Sequence, residues 1–235
     1  MKKPKAGSAT RNRPEIATGE RLANSYYKEL ELNSLQEALR PFGVTLTPPL
    51  AESLRRYVTL LLRWNQKINL TATSDVGELL SRHVGESLFG ASLLPGTPGT
   101  LCDIGSGAGF PGLMLKLARP EWQLLLVESD HRKSAFLSEA VRTLNLSGTR
   151  VLSERYDRLP TEAPLADVIT ARALGEYERL LAWSKKSLRP DGRVILWLGS
   201  SDADKLARIP GWRFDPPVPI PESRQRVVLS ASLDF

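Results

Sequence analysis

One stretch of the chain, residues 101–112, constrains the fold more than any other: Leu-Cys-Asp-Ile-Gly-Ser-Gly-Ala-Gly-Phe-Pro-Gly. A short apolar run carrying an acid passes into Gly105, Gly107 and Gly109, spaced two apart, and then into a stretch of helical character. Glycine permits a tight turn and lets a ligand approach the backbone closely. In open sheets of alternating strands and helices such turns lie at the carboxyl ends of the strands, where ligands bind. The segment therefore predicts strand, turn and helix, with a ligand site at the turn.

The chain beyond it continues that alternation. Short apolar runs at 100–104, 123–128, 150–152, 167–170, 193–198 and 227–230 predict strands, and 111–118, 133–144 and 177–188 predict the helices between them. The expected fold is α/β, a doubly wound, seven-stranded, mostly parallel Rossmann-like sheet with helices on both faces. After Pro210 come four more prolines up to Pro221, so no crossover helix precedes the last run, and that strand is expected to return antiparallel. The chain before residue 95 is helical instead. Leu30, Leu32, Leu35 and Leu39 share a face up to Pro41-Phe42-Gly43. Thr47 caps a second helix opened by Pro48-Pro49, and a third spans 76–88. The predicted plan is a basic tail at 1–21, a helical cap at 22–95 and a sheet domain at 96–235.

Composition excludes several function classes. The single cysteine, Cys102, rules out an internal disulfide framework and a four-cysteine zinc site. With two histidines, His83 and His131, a histidine-rich metal centre is not expected either. No run approaches the ~18 apolar residues of a membrane span, so a soluble, cytoplasmic protein is the expectation. The net charge is +6, and residues 1–21 hold six basic against two acidic side chains. That tail is expected to be disordered, either as an arm that attracts phosphate or as a plain solvated extension.

The acid before the turn bears on the class of ligand, whereas the acid after the next strand serves a nicotinamide or a methionine cofactor equally. Residues 107–112 match G-x-G-x-x-G, but the first of those glycines lies three residues past the strand, and Pro111 removes an amide that a pyrophosphate would use. The better parse starts at Asp103, two residues before Gly105. An acid there repels phosphate and suits a cation such as the ammonium of S-adenosylmethionine. Glu128, at the end of the next strand, is placed to accept hydrogen bonds from ribose hydroxyls. Asp157 either holds an adenine amino group, with Tyr156 against the ring, or is a loop residue near Arg155 and Arg158. Cys102 reads as a small buried hydrophobe.

Residues 103–112 resemble the cofactor loop of the ribosomal RNA small-subunit methyltransferase G family, the glucose-inhibited division protein B type. The segments 64–71, Arg82-His83 with Glu86-Ser87, Lys133 with Phe136-Leu137, and 171–173 fit the same family, and the likeness spans roughly 50–235. It implies a class I S-adenosylmethionine-dependent methyltransferase acting on guanine N7 in 16S rRNA, with cofactor contacts at Gly105, Phe110, Tyr156-Asp157 and Arg172. Glu86 stands where aspartate is common in the family, and Ala171 where serine is.

Guanine N7 is an exposed lone pair and needs no general base. Catalysis is then expected to rest on alignment, which supplies up to ~7–11 kcal/mol. Arg172, on the rim after the fourth predicted strand, either contacts cofactor or guanine or pairs with Glu176 or Glu178. Lys67, Arg82, His83, Arg132 and Lys133 are the candidate RNA contacts, chiefly to phosphate, with His83 equally readable as a buried ring. Trp64 and Tyr57 read as packing residues between cap and sheet, and Arg55-Arg56 as a solvated face. The expected partner is 16S rRNA or the small subunit, bound by a monomer without metal. The competing classes are a small-molecule methyltransferase and a non-catalytic assembly factor.

Overall fold

A computed structural model describes residues 30–159 and 165–234. The basic tail expected at 1–21 lies outside the described residues. Helix α1 (Leu32–Leu39) leads to α2 (Pro48–Asn65), where the Thr47 hydroxyl accepts the Leu50 N–H at 3.4 Å and prolines fill the first turn. Next comes α3, built of Val76–Glu78, Leu79–Gly85 and Glu86–Phe89. Its middle piece is a π-helix, which periodicity did not anticipate, and π segments recur near functional sites. A Cβ on Gly85 would lie 2.4 Å from the Phe42 ring, so only glycine allows this close helix contact.

The alternating region follows as β1 (Thr100–Ile104), α4 (Gly112–Ala118), β2 (Gln123–Val127), α5 (His131–Thr143) and β3 (Thr149–Leu152). Then come β4 (Ala166–Arg172), α6 (Tyr177–Ser187), β5 (Leu188–Gly199), α7 (Ser200–Leu206), β6 (Trp212–Phe214), β7 (Val218–Pro219) and β8 (Arg226–Leu233). The sheet order is β3-β2-β1-β4-β5-β8-β6, with β7 paired to β8 off that path. Strands β1 to β5 pair in parallel, and β8 runs antiparallel between β5 and β6 as expected for the last strand. Among the described residues the sheet has eight strands where seven were expected, because the proline-rich stretch contributes the short β6 and β7. Helix α7 was also unforeseen: it buries only Ala203 and Leu206 and has no apolar stripe to read.

Alternation along β1 divides the core. Leu101 and Asp103 face one side, Cys102 and Ile104 the other. On the first side α1, α2, α3, α4 and α5 form one cluster with the sheet, including Leu35, Leu54, Tyr57, Leu113 and Phe136. On the second, α6 and α7 cover Ile169, Val194, Leu196 and Leu229. The cap thus lies directly over the strand ends that carry the glycine turn. Tyr57 sits at that junction, its hydroxyl donating to the Ala108 carbonyl and its ring edge-on to Phe110 at 5.6 Å.

Candidate active site

The glycine turn is held from beneath. The amides of Gly105 and Ser106 donate to the Val127 carbonyl at 2.8 and 3.2 Å, tying the turn to the end of β2. The Ser106 hydroxyl donates to the Asp103 carbonyl at 2.9 Å. Gly107 has φ +55°, a region that favours glycine, and a Cβ there would meet nothing nearer than 3.8 Å, so this face of the turn is open. Gly112 is the opposite case. A Cβ would fall 2.7 Å from Asp103 Oδ2 and 2.8 Å from Leu126, so α4 starts in contact with β1 only because residue 112 has no side chain.

Asp103 is wholly buried. Register pairs it with Thr170 on β4, whose hydroxyl donates to Asp103 Oδ1 at 2.7 Å, while Oδ2 has no hydrogen-bond partner. Burial pushes the carboxyl up to about 7, against the lowering effect of Thr170, Ser106 and Gly112, and nearby Glu128 pushes the same way. The carboxylate lies under the turn, so it does not present the exposed anion that a direct pair with an ammonium requires. Glu128 is almost buried and accepts the Gly107 amide on Oε2 at 2.9 Å and the Asp130 amide on Oε1 at 2.8 Å. A carboxylate has about four acceptor positions, so two remain for hydroxyl donors.

Arg172, at the end of β4, is turned toward the cap. Its Nη2 donates to the Arg82 carbonyl at 2.6 Å and lies 3.1 Å from Glu86 Oε2. The expected pairs with Glu176 or Glu178 are replaced by Glu86, a residue of another element, because the cap reaches across the strand ends. Arg226 of β8 reaches the same carboxylate, Nη2 at 2.6 Å and Nε at 2.9 Å from Oε1. Glu86 is 1% exposed, and its carbonyl accepts the Trp197 indole N–H at 2.7 Å. The grouping of Glu86, Arg172 and Arg226 had no signal in local sequence, since its members lie far apart along the chain.

The other sequence candidates are dispersed. The Tyr156 ring is not against an open ligand face: it packs edge-on onto Trp183 at 5.2 Å in the second core, with its hydroxyl buried. Asp157 is held by Arg155 through contacts of 3.1 and 3.0 Å and by Arg179 rather than Arg158, and those partners lower its pKa. Phe110 is buried, and His83 stacks on it with centroids 5.2 Å apart. Burial, then Arg172 and Arg82, pull the His83 imidazole down to about 4, so it is neutral at neutral pH. Arg82 is exposed and pairs with Glu78 at 2.6 Å. Lys67 is exposed in the turn after α2, while Arg132 and Lys133 open α5, where Asp130 caps both amides. Arg55 and Arg56 are not simply solvated, since they donate to the carbonyls of Leu30 and Thr143. Among the described residues no group of three or more His, Cys, Asp or Glu side chains is placed to hold a metal, and no helix is long and apolar enough to cross a membrane.

The sheet order, the turn and its two acids define a Rossmann-like fold of the methyltransferase class. Solved structures share it: a putative O-methyltransferase from Klebsiella pneumoniae (TM-score 0.59, 16% identity, 86% of this chain and 96% of that one) and a ribosomal protein L11 methylase from Lactobacillus delbrueckii subsp. bulgaricus (TM-score 0.56, 16% identity, 66% and 80%). Residues 50–210 match the family model of rRNA small subunit methyltransferase G. Proteins named ribosomal RNA small subunit methyltransferase G from Myxococcus xanthus (41% identity over 182 residues, 75% of this chain and 82% of the relative) and Roseiflexus sp. strain RS-1 (39% over 180 residues, 75% and 77%) are similar to it. The chain belongs to the rRNA small subunit methyltransferase G family.

Proposed function

We propose that this protein methylates N7 of a guanine in 16S rRNA of the small ribosomal subunit, using S-adenosylmethionine, as a cytoplasmic monomer. The observation that carries the chemistry is the open glycine turn between two buried carboxylates, Asp103 below it and Glu128 beside it. These residues fit the cofactor. Glu128 keeps acceptor positions for the ribose hydroxyls, the open face at Gly107 admits a close ligand, and Gly105, Gly109 and Phe110 complete the wall. Tyr156 and Asp157 follow β3 at the same end of the sheet and are the residues assigned to the adenine end of the cofactor. When bound, the sulfonium supplies an activated methyl group.

The chain's own residues orient the acceptor. N7 needs no deprotonation, and His83 is neutral and stacked, so no side chain has to act as a base. Arg172, at the end of β4 with Nη1 buried and without a hydrogen-bond partner, is the side chain assigned to the acceptor base. Holding the acceptor lone pair in line with the methyl carbon is the main catalytic contribution. Lys67, Arg82, Arg132 and Lys133 contact RNA phosphate, and His83 contributes a neutral ring rather than a charge. The basic residues of 1–21 add long-range attraction. Family membership weighs against a small-molecule acceptor, and the intact acid-and-glycine pattern against a protein that only binds RNA.

The test is incubation of the protein with methyl-labelled S-adenosylmethionine and small subunits lacking the modification, followed by mapping of the label. Label in 7-methylguanine of 16S rRNA is expected. No transfer, or transfer to another base, refutes the reading.

A further inference from the structure

Beside Arg172 the ends of β4 and β5 wall a cavity of about 380 Å³, lined among others by Glu86, Tyr177, Trp197, Ile220 and Arg226. That size lies within the range of small-ligand pockets. Two polar atoms on its contacting side chains are buried without a hydrogen-bond partner: Glu86 Oε2, an acceptor, and Arg172 Nη1, a donor. The two groups are close, with Arg172 Nη2 3.1 Å from Glu86 Oε2, yet that contact is not aligned as a hydrogen bond. Buried unpaired groups cost stability. Both atoms are closed to solvent in this structure, so a ligand in the cavity completes them once the Arg172 guanidinium, the more exposed of the pair, turns toward it.

We infer that this cavity is the acceptor-base pocket, in which Glu86 accepts the N1–H and Arg172 Nη1 donates to O6 of the guanine. The inference rests on the guanine-N7 reading and names the part of the base that is read. Guanine carries N1–H beside O6, a donor next to an acceptor, which complements an orphan acceptor next to an orphan donor. Adenine presents N1 as an acceptor and an amino group as a donor, the reverse order, and would set a lone pair against the carboxylate. N7 lies beyond O6 on the other edge and stays free for the methyl group. As methyl transfer places positive charge on the ring, the bond from N1–H to the Glu86 carboxylate strengthens, a gain realised in the transition state. Arg226 binds the second oxygen of Glu86 and, with Arg172, offsets the desolvation of a buried anion. Tyr177, its hydroxyl donating to the Trp197 carbonyl at 3.2 Å, is fixed as a side wall.

The experiment uses small subunits reconstituted with rRNA carrying guanosine, inosine or 2-aminopurine riboside at the target. All three keep N7. Inosine keeps N1–H and O6 and lacks only the 2-amino group, whereas 2-aminopurine lacks O6 and has an unprotonated N1. The wild-type protein is expected to lose at least about 100-fold in kcat/KM on 2-aminopurine, and to accept inosine within about tenfold. In Glu86→Gln, whose amide can donate to an unprotonated N1, the preference for guanosine over 2-aminopurine is expected to fall at least about tenfold. Equal methylation of 2-aminopurine and guanosine by the wild type overturns the inference without recourse to a variant. An equal loss on both substrates in Glu86→Gln overturns it too, because a merely structural carboxylate lowers turnover without changing base preference. Inactivity of the wild type on guanosine itself refutes the function reading instead, so the two failures are distinguishable.

Discussion

Replacing Asp103 with asparagine tests the electrostatics beneath the glycine turn. The native carboxyl is wholly buried, has one donor in Thr170, and titrates at about 7 against an ordinary value of 3.8. Between those two pH values the folded protein holds a proton that the unfolded chain has released. Stability therefore falls as pH rises through this window and levels off above it. Three pKa units at 1.36 kcal/mol each place the ceiling near about 4 kcal/mol. Asparagine keeps the acceptor for Thr170 and has no such titration. The stability of Asp103→Asn minus that of the wild type is thus expected to climb by up to about 4 kcal/mol from pH 4 to pH 7, then to flatten. Urea denaturation at one-unit steps from pH 4 to 8 measures the difference, in which His83 and other shared groups cancel. A difference curve flat within about 0.5 kcal/mol, or one that falls, refutes the burial argument, because it shows Asp103 ionised in the folded state. The same ionisation is expected to strengthen binding of cationic S-adenosylmethionine to the wild type as pH rises through 7, an effect absent in the variant.

Three further outcomes follow from contacts around the site. Tyr57→Phe leaves the buried Ala108 carbonyl without its donor, at a cost of about 1–3 kcal/mol, and a thermal scan should show Tm lower by about 3–10 °C; an unchanged Tm refutes the coupling of cap to turn. Gly112→Ala drives a Cβ into Asp103 and Leu126, with an expected cost of about 1–3 kcal/mol and weaker cofactor binding by calorimetry, and wild-type affinity would sink the close-approach argument. Arg172→Ala removes the side chain that meets both cap and cavity; turnover on small subunits should fall at least about 100-fold, and near-normal turnover takes Arg172 out of the mechanism.

Much of the sheet was legible because buried strands are short apolar runs and their periodicity is local. Strand β1 begins and ends where the run 100–104 predicts, and the antiparallel direction of β8 follows from the lack of a long crossover helix before it. The pieces that escaped are those with little apolar pattern. Helix α7 is polar apart from Ala203 and Leu206, β7 has two residues, and the π segment of α3 ends at Gly85, which lies close against the Phe42 ring. Side-chain partners were less legible than elements. Arg172 had two acids within six residues, yet it pairs with Glu86 from the cap. Tyr156 reads as an aromatic beside a ligand, but its ring packs edge-on against Trp183 in the second core.

Taken alone, the amino-acid order specified an α/β sheet with a glycine turn and acids at its crest, since glycine freedom, strand alternation and charge are properties of neighbouring residues. Where each charged group points was settled only in three dimensions. Glu86, Arg172 and Arg226 come from a helix and two strands widely separated in the chain, and packing the cap over the strand ends is what brings one carboxylate between two guanidinium groups. No local pattern encodes that meeting, because its energy belongs to the closed core and not to any segment of it.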